Sequence, residues 1–219
     1  MAEASLPRRL YDATYGRVFA AVYDYGIAAS EEAGLAEKRA ALVSGAEGRT
    51  LELGAGTGLN LPHYPEATTE MVLSEPFGPM ASQLRERARE LGRQVEVVEA
   101  PAESLPLPDD SVDTVVGTLV LCTVDDPEAS VAEVARVLRP GGRFLFLEHV
   151  RSDDPDRARW QDRLHGPWFA FGHGCHCNRD TAATLRRSAL EVERIDDGKM
   201  PKSPPIVRPL ISGSAKLPG

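Results

Sequence analysis

The sequence predicts an α/β protein built on a doubly wound, mostly parallel sheet. Short apolar stretches rich in β-branched residues alternate with segments whose apolar residues recur at helical spacing. A turn with glycine at three alternate positions, 54, 56 and 58, follows the first of those stretches. Parallel strands are joined by right-handed crossovers, and such sheets bind ligands at the carboxyl ends of their strands, where this turn lies.

The elements can be placed along the chain from periodicity and from stop signals. Helical spacing predicts helices over residues 8–30 and about 31–44, the second ending at Gly45. Further helices are predicted at 79–92 and 127–138, and strands at 50–53, 70–74, 95–98, 112–116 and 143–150. The run Arg139-Pro140-Gly141-Gly142 is a typical end of a helix. The tail after residue 200 carries apolar residues that predict a final packed strand.

Composition narrows the class of protein. A chain of 219 residues fits one domain, and its net charge of −8 argues against a nucleic acid partner, because that affinity rests on Lys and Arg. Three cysteines, an odd number, do not make a disulfide framework and favour a reducing cytoplasm. Neither a secretion signal nor a membrane span is evident, so we expect a cytoplasmic protein with a small-molecule partner.

The glycine turn could hold one of three ligands. A nucleotide phosphate loop ends in Gly-Lys-Ser/Thr, whereas this turn ends in Gly58-Leu59-Asn60. A dinucleotide site needs a third glycine at position 59, where Leu59 stands. S-adenosylmethionine remains, and its ribose needs an acid at the end of the second strand. Glu75 lies 21 residues after Gly54, close to the ~20 expected of such an acid.

Three motifs together make the chain resemble a known family. Glu52-Leu53-Gly54-Ala55-Gly56-Thr57-Gly58 resembles motif I of the class I methyltransferases that use S-adenosylmethionine, and residues 102–113 and 137–142 resemble their adenine-side loop and the turn before their fifth strand. Residues 118–124, 147–150, 174–175 and 178–179 resemble the methyltransferase-like proteins that methylate small alkyl thiols. More broadly, the chain is similar to the ubiquinone/menaquinone C-methyltransferase type.

The resemblance implies a Rossmann-like, mostly parallel seven-stranded sheet with N-terminal lid helices. In that arrangement residues 1–45 form the lid helices and 46–150 form the core that binds S-adenosylmethionine. Residues 151–219 supply a substrate-side segment and the final strands of the same domain. Gly54 to Gly56 should pass under the methionine moiety, with Glu52 near its amino group. Glu75 should accept hydrogen bonds from the ribose hydroxyls. The residues implied to contact the cofactor are Glu52, Gly54, Ala55, Gly56, Thr57, Asn60, Glu75, Pro76, Met80, Ala102, Glu103, Thr118, Leu119, Tyr11 and Tyr15.

Methyl transfer is an in-line displacement, so positioning and desolvation can supply much of the rate acceleration. A thiol acceptor, with a pKa near ~8.5, would benefit from a nearby base. His149 is the first candidate, because it follows the fifth predicted strand at the mouth of the sheet. The predicted substrate pocket consists of Cys122, Trp168, His173, Cys175 and His176.

The run His173-Gly174-Cys175-His176-Cys177 also invites comparison with metal sites. Structural zinc uses paired half-sites with two to four residues between the cysteines. Here one residue separates the cysteines and no second pair exists in the sequence. We therefore expect no metal site in this run.

The expected function is methyl transfer from S-adenosylmethionine to a small apolar acceptor, with a thiol preferred. One alternative is C- or O-methylation of a quinone, a phenol or a secondary metabolite. Another is a non-catalytic cofactor-binding protein or a nicotinamide-dependent oxidoreductase. The sequence leaves the acceptor atom and the oligomeric state open.

Overall fold

Seven strands form one sheet in the computed structural model, which describes residues 12–219. The strands are β1 (Gly48–Leu53), β2 (Thr68–Ser74), β3 (Glu96–Val98), β4 (Val112–Thr118), β5 (Leu138–His149), β6 (Glu191–Lys199) and β7 (Pro209–Lys216). Their order across the sheet is β3-β2-β1-β4-β5-β7-β6. The first five strands run parallel, and β7 lies antiparallel to both β5 and β6. The predicted doubly wound, mostly parallel, seven-stranded sheet is confirmed.

The helices are α1 (Arg17–Ser30), α2 (Ala36–Val43), α3 (Gly78–Glu90), α4 (Pro127–Val137), α5 (Pro155–Phe171) and α6 (Thr181–Arg187). Short helical turns of other types cover Asp12–Gly16, Glu31–Leu35, Leu61–His63 and Pro205–Val207. The carboxylates of Asp126, Asp154 and Asp180 accept hydrogen bonds from backbone N–H groups in the first turns of α4, α5 and α6. These caps fix where each of the three helices begins.

Two predicted boundaries are wrong. The second predicted helix does not begin afresh at Glu31, because Glu31–Leu35 continues directly from α1 and the break falls at Gly34, whose φ is 118°. Strand β5 begins at Leu138, five residues before its predicted start, because Leu138 already pairs with Val112 of β4. The helix stop at residues 139–142 is therefore part of the strand, and α4 ends at Val137.

Buried apolar side chains hold the centre of the sheet. Those with no solvent-exposed area include Leu51, Leu53, Val115, Phe144 and Phe146 on β1, β4 and β5. Strands buried on both faces are typical of parallel sheets covered by helices. This core fixes the positions of the strand ends and therefore of every side chain that follows them.

The carboxyl ends of β1, β2, β4 and β5 meet at one edge of the sheet. The strand order reverses between β1 and β4, and ligands of open α/β sheets bind beside such a reversal. We call this the carboxyl edge. Within residues 12–219, no helix combines the length and the apolar character needed to cross a membrane.

Candidate active site

The glycine turn after β1 presents bare backbone at the carboxyl edge. Gly54 and Gly56 have φ values of 53° and 58°, a left-handed conformation that side chains rarely adopt. A Cβ added at Gly54 would lie 2.4 Å from Cγ2 of Val120, whereas one at Gly56 would meet only the Gly54 carbonyl oxygen, at 3.9 Å. The space in front of Gly56 is therefore open to a ligand that approaches the main chain closely.

Glu75 lies at the end of β2, as its position in the sequence predicts. Its Oε2 accepts a hydrogen bond from the Gly56 N–H and its Oε1 accepts one from the Phe77 N–H, both at 2.9 Å. Burial raises the pKa of this carboxyl, and the two N–H groups oppose that effect. Each oxygen keeps a further lone pair, so the carboxylate can orient the glycine turn and still accept hydrogen bonds from a ribose diol.

Glu52 is buried beneath the same turn. Its Oε1 accepts from Nδ2 of Asn60 and its Oε2 from the Tyr64 hydroxyl, both at 2.9 Å. Asn60 also donates to Oγ1 of Thr118 at 2.8 Å and accepts from the Arg39 guanidinium at 3.2 Å. Burial raises the pKa of Glu52 to about 7. An ammonium group arriving here would stabilise the ionised carboxylate, which suits the amino end of a methionine moiety.

Helix α1 covers the glycine turn. Asp24 accepts a hydrogen bond from the Thr57 hydroxyl at 2.6 Å and contacts the Arg87 guanidinium at 2.5 Å. The cavity left beneath the helix measures about 20 Å³, far below the ~300 Å³ of a small-ligand pocket. A nucleoside does not fit this space with helix α1 in the position described. The residues that line this cavity are Tyr23, Arg39, Glu52, Gly54, Ala55, Gly56, Thr57, Leu59 and Thr118.

Tyr23 and Arg39 line this cavity although sequence reasoning did not select them. Both lie in amphipathic helices. In such a helix a tyrosine normally packs against the core, and an arginine normally lies on the solvated surface. Arg39 is only 4% exposed and also pairs with Glu31 at 2.9 Å. No pattern in the sequence distinguishes this arginine from its exposed neighbours.

The other residues implied to contact the cofactor lie on segments around this edge. Met80 is buried on α3, Pro76 is exposed directly after Glu75, and the Leu119 N–H donates to the Leu147 carbonyl oxygen at 2.8 Å. Ala102 packs into the main core, and Oε1 of Glu103 accepts from the Asp126 N–H at 3.0 Å.

Of the two tyrosines implied to contact the cofactor, Tyr11 lies outside the described residues. The Tyr15 hydroxyl donates to the Phe171 carbonyl oxygen at 2.6 Å, and this bond joins the start of the lid to the end of α5. The cofactor roles of all these residues stay predictions.

A second polar group at the carboxyl edge consists of Cys122, His149 and Cys175, which we call the sulfur–imidazole cluster. Nε2 of His149 lies 2.9 Å from Sγ of Cys175, and Trp168 Nε1 donates to the same sulfur at 3.2 Å. The three residues are 1%, 5% and 8% exposed. Cys122 lies in the loop after β4, two residues beyond Val120. The side chain of Val120 covers Gly54, so this loop adjoins the glycine turn.

The cluster has an unusual charge state. The hydrogen bond from Cys122, together with His149, holds the pKa of the Cys175 thiol well below its usual range and raises that of Cys122. Burial lowers the pKa of His149, but the Cys175 sulfur outweighs burial and the net shift is upward. The arrangement favours a Cys175 thiolate beside a protonated imidazole, buried next to the cofactor turn.

The other side chains of the run 173–177 contact different neighbours. His173 stacks on Phe19 with a centroid distance of 5.1 Å, and Nδ1 of His176 lies 2.7 Å from Nε2 of His165 on α5. Cys177 donates to the Gln161 carbonyl oxygen at 3.5 Å. Cys175 is the residue of this run whose side chain joins those of Cys122 and His149, so the fold, and not the local spacing, assembles the cluster.

Glu148 is a residue that sequence reasoning did not select. Its Oε1 accepts from the N–H groups of Val120 and Leu121 at 3.0 and 3.1 Å, and Arg179 donates to the Leu121 carbonyl oxygen at 2.6 Å. Burial raises the pKa of Glu148 to about 7. These bonds hold the loop that carries Cys122. The sequence did carry one indication of this role, an acid inside the apolar run 144–150. An acid buried there needs hydrogen-bond partners.

Comparison with known proteins decides the family. A family profile described as a methyltransferase domain matches residues 51–146. The thiol S-methyltransferase TMT1A of Homo sapiens is 35% identical over 168 residues, which cover 75% of this chain and 69% of that protein. The chain belongs to the class I methyltransferases that use S-adenosylmethionine. The predicted enzyme class and cofactor are confirmed, and the oxidoreductase alternative is set aside.

Other methyltransferases of the family extend the comparison. The phosphatidylethanolamine N-methyltransferase of Cereibacter sphaeroides is 36% identical over 137 residues, or 61% of this chain and 66% of that protein. The chain thus spans about two thirds of the length of these relatives. A geranyl diphosphate methyltransferase in complex with S-adenosylmethionine superposes with a TM-score of 0.64 over 84% of each chain, at 16% identity, which supports the fold alone.

Proposed function

We propose that this methyltransferase transfers the methyl group of S-adenosylmethionine to the sulfur of a small apolar thiol. The observation that carries the proposal is the buried sulfur–imidazole cluster, which lies beside the glycine turn at the carboxyl edge. Similarity to thiol S-methyltransferases at 35% identity supports the same acceptor class. Because the chain is also 36% identical to a phosphatidylethanolamine N-methyltransferase, the acceptor is tested directly below.

The cofactor supplies a methyl group already activated by its sulfonium. In the proposed reaction the glycine turn and Glu75 hold the cofactor, and Glu52 faces its amino group. Helix α1 excludes water through Tyr23. The acceptor sulfur attacks the methyl carbon in line, the bond from that carbon to the sulfonium sulfur breaks, and a thioether leaves with S-adenosylhomocysteine. Positioning and water exclusion are the main contributions expected of these residues.

A thiol acceptor has to lose its proton before or during attack. A free thiol with a pKa near ~8.5 is only a few per cent ionised at pH 7. A base or a cation beside the acceptor sulfur would raise that fraction. The sulfur–imidazole cluster supplies both kinds of group at this position. The protonated imidazole of His149, which the sequence suggested as the base, provides the positive charge, and the Cys175 thiolate is the group able to accept a proton.

A methylation screen tests the proposal. The purified protein is incubated with S-adenosylmethionine and, separately, with small alkyl thiols, quinones, phenols and phosphatidylethanolamine vesicles, and methylated products are measured by mass spectrometry. We expect turnover with alkyl thiols and none with Glu75→Ala under the same conditions. Turnover of a quinone, a phenol or the lipid amine, with no thiol product, would replace the proposed acceptor.

A further inference from the structure

We propose that Cys122, His149 and Cys175 bind one zinc ion and leave a fourth coordination position open. Their ligand atoms, two sulfurs and one imidazole nitrogen, all lie within 4.8 Å of one another. Zinc in proteins is coordinated by thiolate sulfur and imidazole nitrogen, and three protein ligands with one open position are typical of catalytic zinc. The three residues come from three separate segments, after β4, at the end of β5 and after α5.

The geometry needs little adjustment. In a tetrahedral site with Zn–S near ~2.3 Å and Zn–N near ~2.0 Å, ligand atoms are roughly 3.5–3.8 Å apart. The separation of 2.9 Å between His149 Nε2 and Cys175 Sγ would lengthen by about 0.6 Å, and no pair exceeds 4.8 Å. Small side-chain rotations of the two cysteines, which lie in loops, and of His149 at the end of β5 supply a shift of this size.

Neighbouring groups already hold the two cysteine ligands in place. Trp168 donates to the Cys175 sulfur at 3.2 Å, and the Cys122 carbonyl oxygen accepts from the His176 N–H at 2.7 Å. Glu148 fixes the two backbone N–H groups that precede Cys122. Outer partners of this kind orient metal ligands and contribute to metal affinity. The ligand set was hidden in the sequence because its members are 27 and 26 residues apart.

The use of the site rests on the proposed thiol methylation. A zinc-bound hydroxide would take the proton of the incoming thiol and leave as water, while the thiolate sulfur binds zinc in its place. That sulfur then forms its bond to the methyl carbon as the sulfonium–methyl bond breaks. The neutral thioether is a weak ligand and leaves. Zinc would thus act as the cation that keeps the acceptor ionised at neutral pH.

Metal content tests the site without any activity assay. The untagged full chain is stripped with a chelator, dialysed, and titrated with zinc against a chromogenic chelator, with bound zinc measured by plasma mass spectrometry. We expect one zinc per chain and a loss of at least about 100-fold in affinity for Cys175→Ser and for His149→Gln. Cys177→Ala is the matched control, because Cys177 lies in the same loop and bonds to Gln161.

Cobalt gives a spectroscopic check on the ligands. Cobalt added to the stripped protein should produce a cobalt–thiolate charge-transfer band, which Cys122→Ser weakens and Cys177→Ala retains. Circular dichroism confirms that each variant is folded, and a variant that is not folded is replaced by alkylation of the wild-type thiols. Less than about a tenth of a zinc per chain, or equal zinc in the ligand variants and the control, would overturn the site.

Activity then separates this inference from the proposed function. Chelator treatment should lower thiol methylation at least about tenfold, zinc should restore it, and affinity for S-adenosylhomocysteine should stay the same. Full thiol turnover in metal-free protein would overturn zinc activation and leave thiol methylation standing. Stoichiometric zinc without thiol turnover would overturn the proposed acceptor and leave the metal site standing.

Discussion

The cofactor side and the acceptor side of the candidate site are built in different ways. The proposed cofactor side comes from one stretch of chain, residues 52–75, in which a short helical turn joins β1 to β2, and it consists largely of backbone N–H groups and left-handed glycines. The proposed acceptor side, the sulfur–imidazole cluster, joins three distant segments through the side chains of Cys122, His149 and Cys175. The two sides meet where Val120 covers Gly54.

This difference has a consequence for mutation. A backbone cradle fails when a side chain is added or when the carboxylate that orients it is removed. A side-chain cluster fails when one of its own atoms is removed, and the cradle next to it should be unaffected. Cofactor affinity and acceptor turnover should therefore respond separately to substitutions on the two sides.

The largest effect should come from Glu75→Ala. This variant removes the acceptor of two backbone N–H bonds and the predicted partner of the ribose hydroxyls. Hydrogen bonds to a charged group contribute ~1.5–3 kcal/mol each, so calorimetry should show S-adenosylhomocysteine binding about 100-fold more weakly. Glu99→Ala, an exposed acid paired with Arg85 after β3, is the control and should bind normally. A loss below about threefold would mean that Glu75 does not hold the ribose.

Gly54→Ala should have the next largest effect. A left-handed alanine costs roughly 1–2 kcal/mol, and here its Cβ would also displace Val120. Gly92→Ala provides a matched control, because Gly92 has a φ of 63° with no atom within 4 Å of an added Cβ. Thermal denaturation should show a larger drop for Gly54→Ala, and its cofactor affinity should fall about tenfold. Equal drops in melting temperature would show that Val120 does not restrict the turn.

The pH dependence of cofactor binding tests Glu52. Its pKa of about 7 lies above its usual value, so the carboxylate is ionised above pH 7 and neutral below. Attraction to the ammonium of the methionine moiety is present at the higher pH and is lost as pH falls. Affinity should drop about fivefold between pH 7 and pH 6. Glu52→Gln should give a flat profile over this range, and a sloping one would assign the titration to another group.

The smallest effect should come from Trp168→Phe on the acceptor side. The change removes one hydrogen bond to the Cys175 sulfur and keeps most of the packing. One such bond contributes ~0.5–1 kcal/mol, so kcat/KM for the thiol should fall about threefold while affinity for S-adenosylhomocysteine stays unchanged. Trp160→Phe, an exposed position on the same helix, is the control. A parallel loss of cofactor affinity would show that the two sides are coupled.

The glycine turn and the position of Glu75 beside it could be predicted because their signals are local. Three glycines and an acid about twenty residues later are read within one short stretch of sequence. The doubly wound, mostly parallel sheet followed from the alternation of strands and helices. The start of β5 was predicted late, because the pairing of Leu138 with Val112 is a tertiary contact that overrides the local Pro-Gly-Gly signal.

The sulfur–imidazole cluster could be predicted only in part. Cys122, His149 and Cys175 were each selected, but their convergence was not, because it depends on where α5 returns the chain to the sheet. Gln161 on that helix donates to the carbonyl oxygens of Val150, Cys177 and Ile206 at 3.0, 2.8 and 2.8 Å, and so docks the loop that carries Cys175. A single buried amide that bonds to three segments produces no periodic pattern in the sequence.

The bonds of Asp24 also bear on the timing of the catalytic cycle. This carboxylate joins the lid helix to the glycine turn through Thr57 and to α3 through Arg87. If helix α1 lifts to release S-adenosylhomocysteine, both bonds have to break. The pair with Arg87 is partly exposed, so dissolved salt competes with it. We therefore expect product release to quicken as ionic strength rises, while the chemical step stays the same.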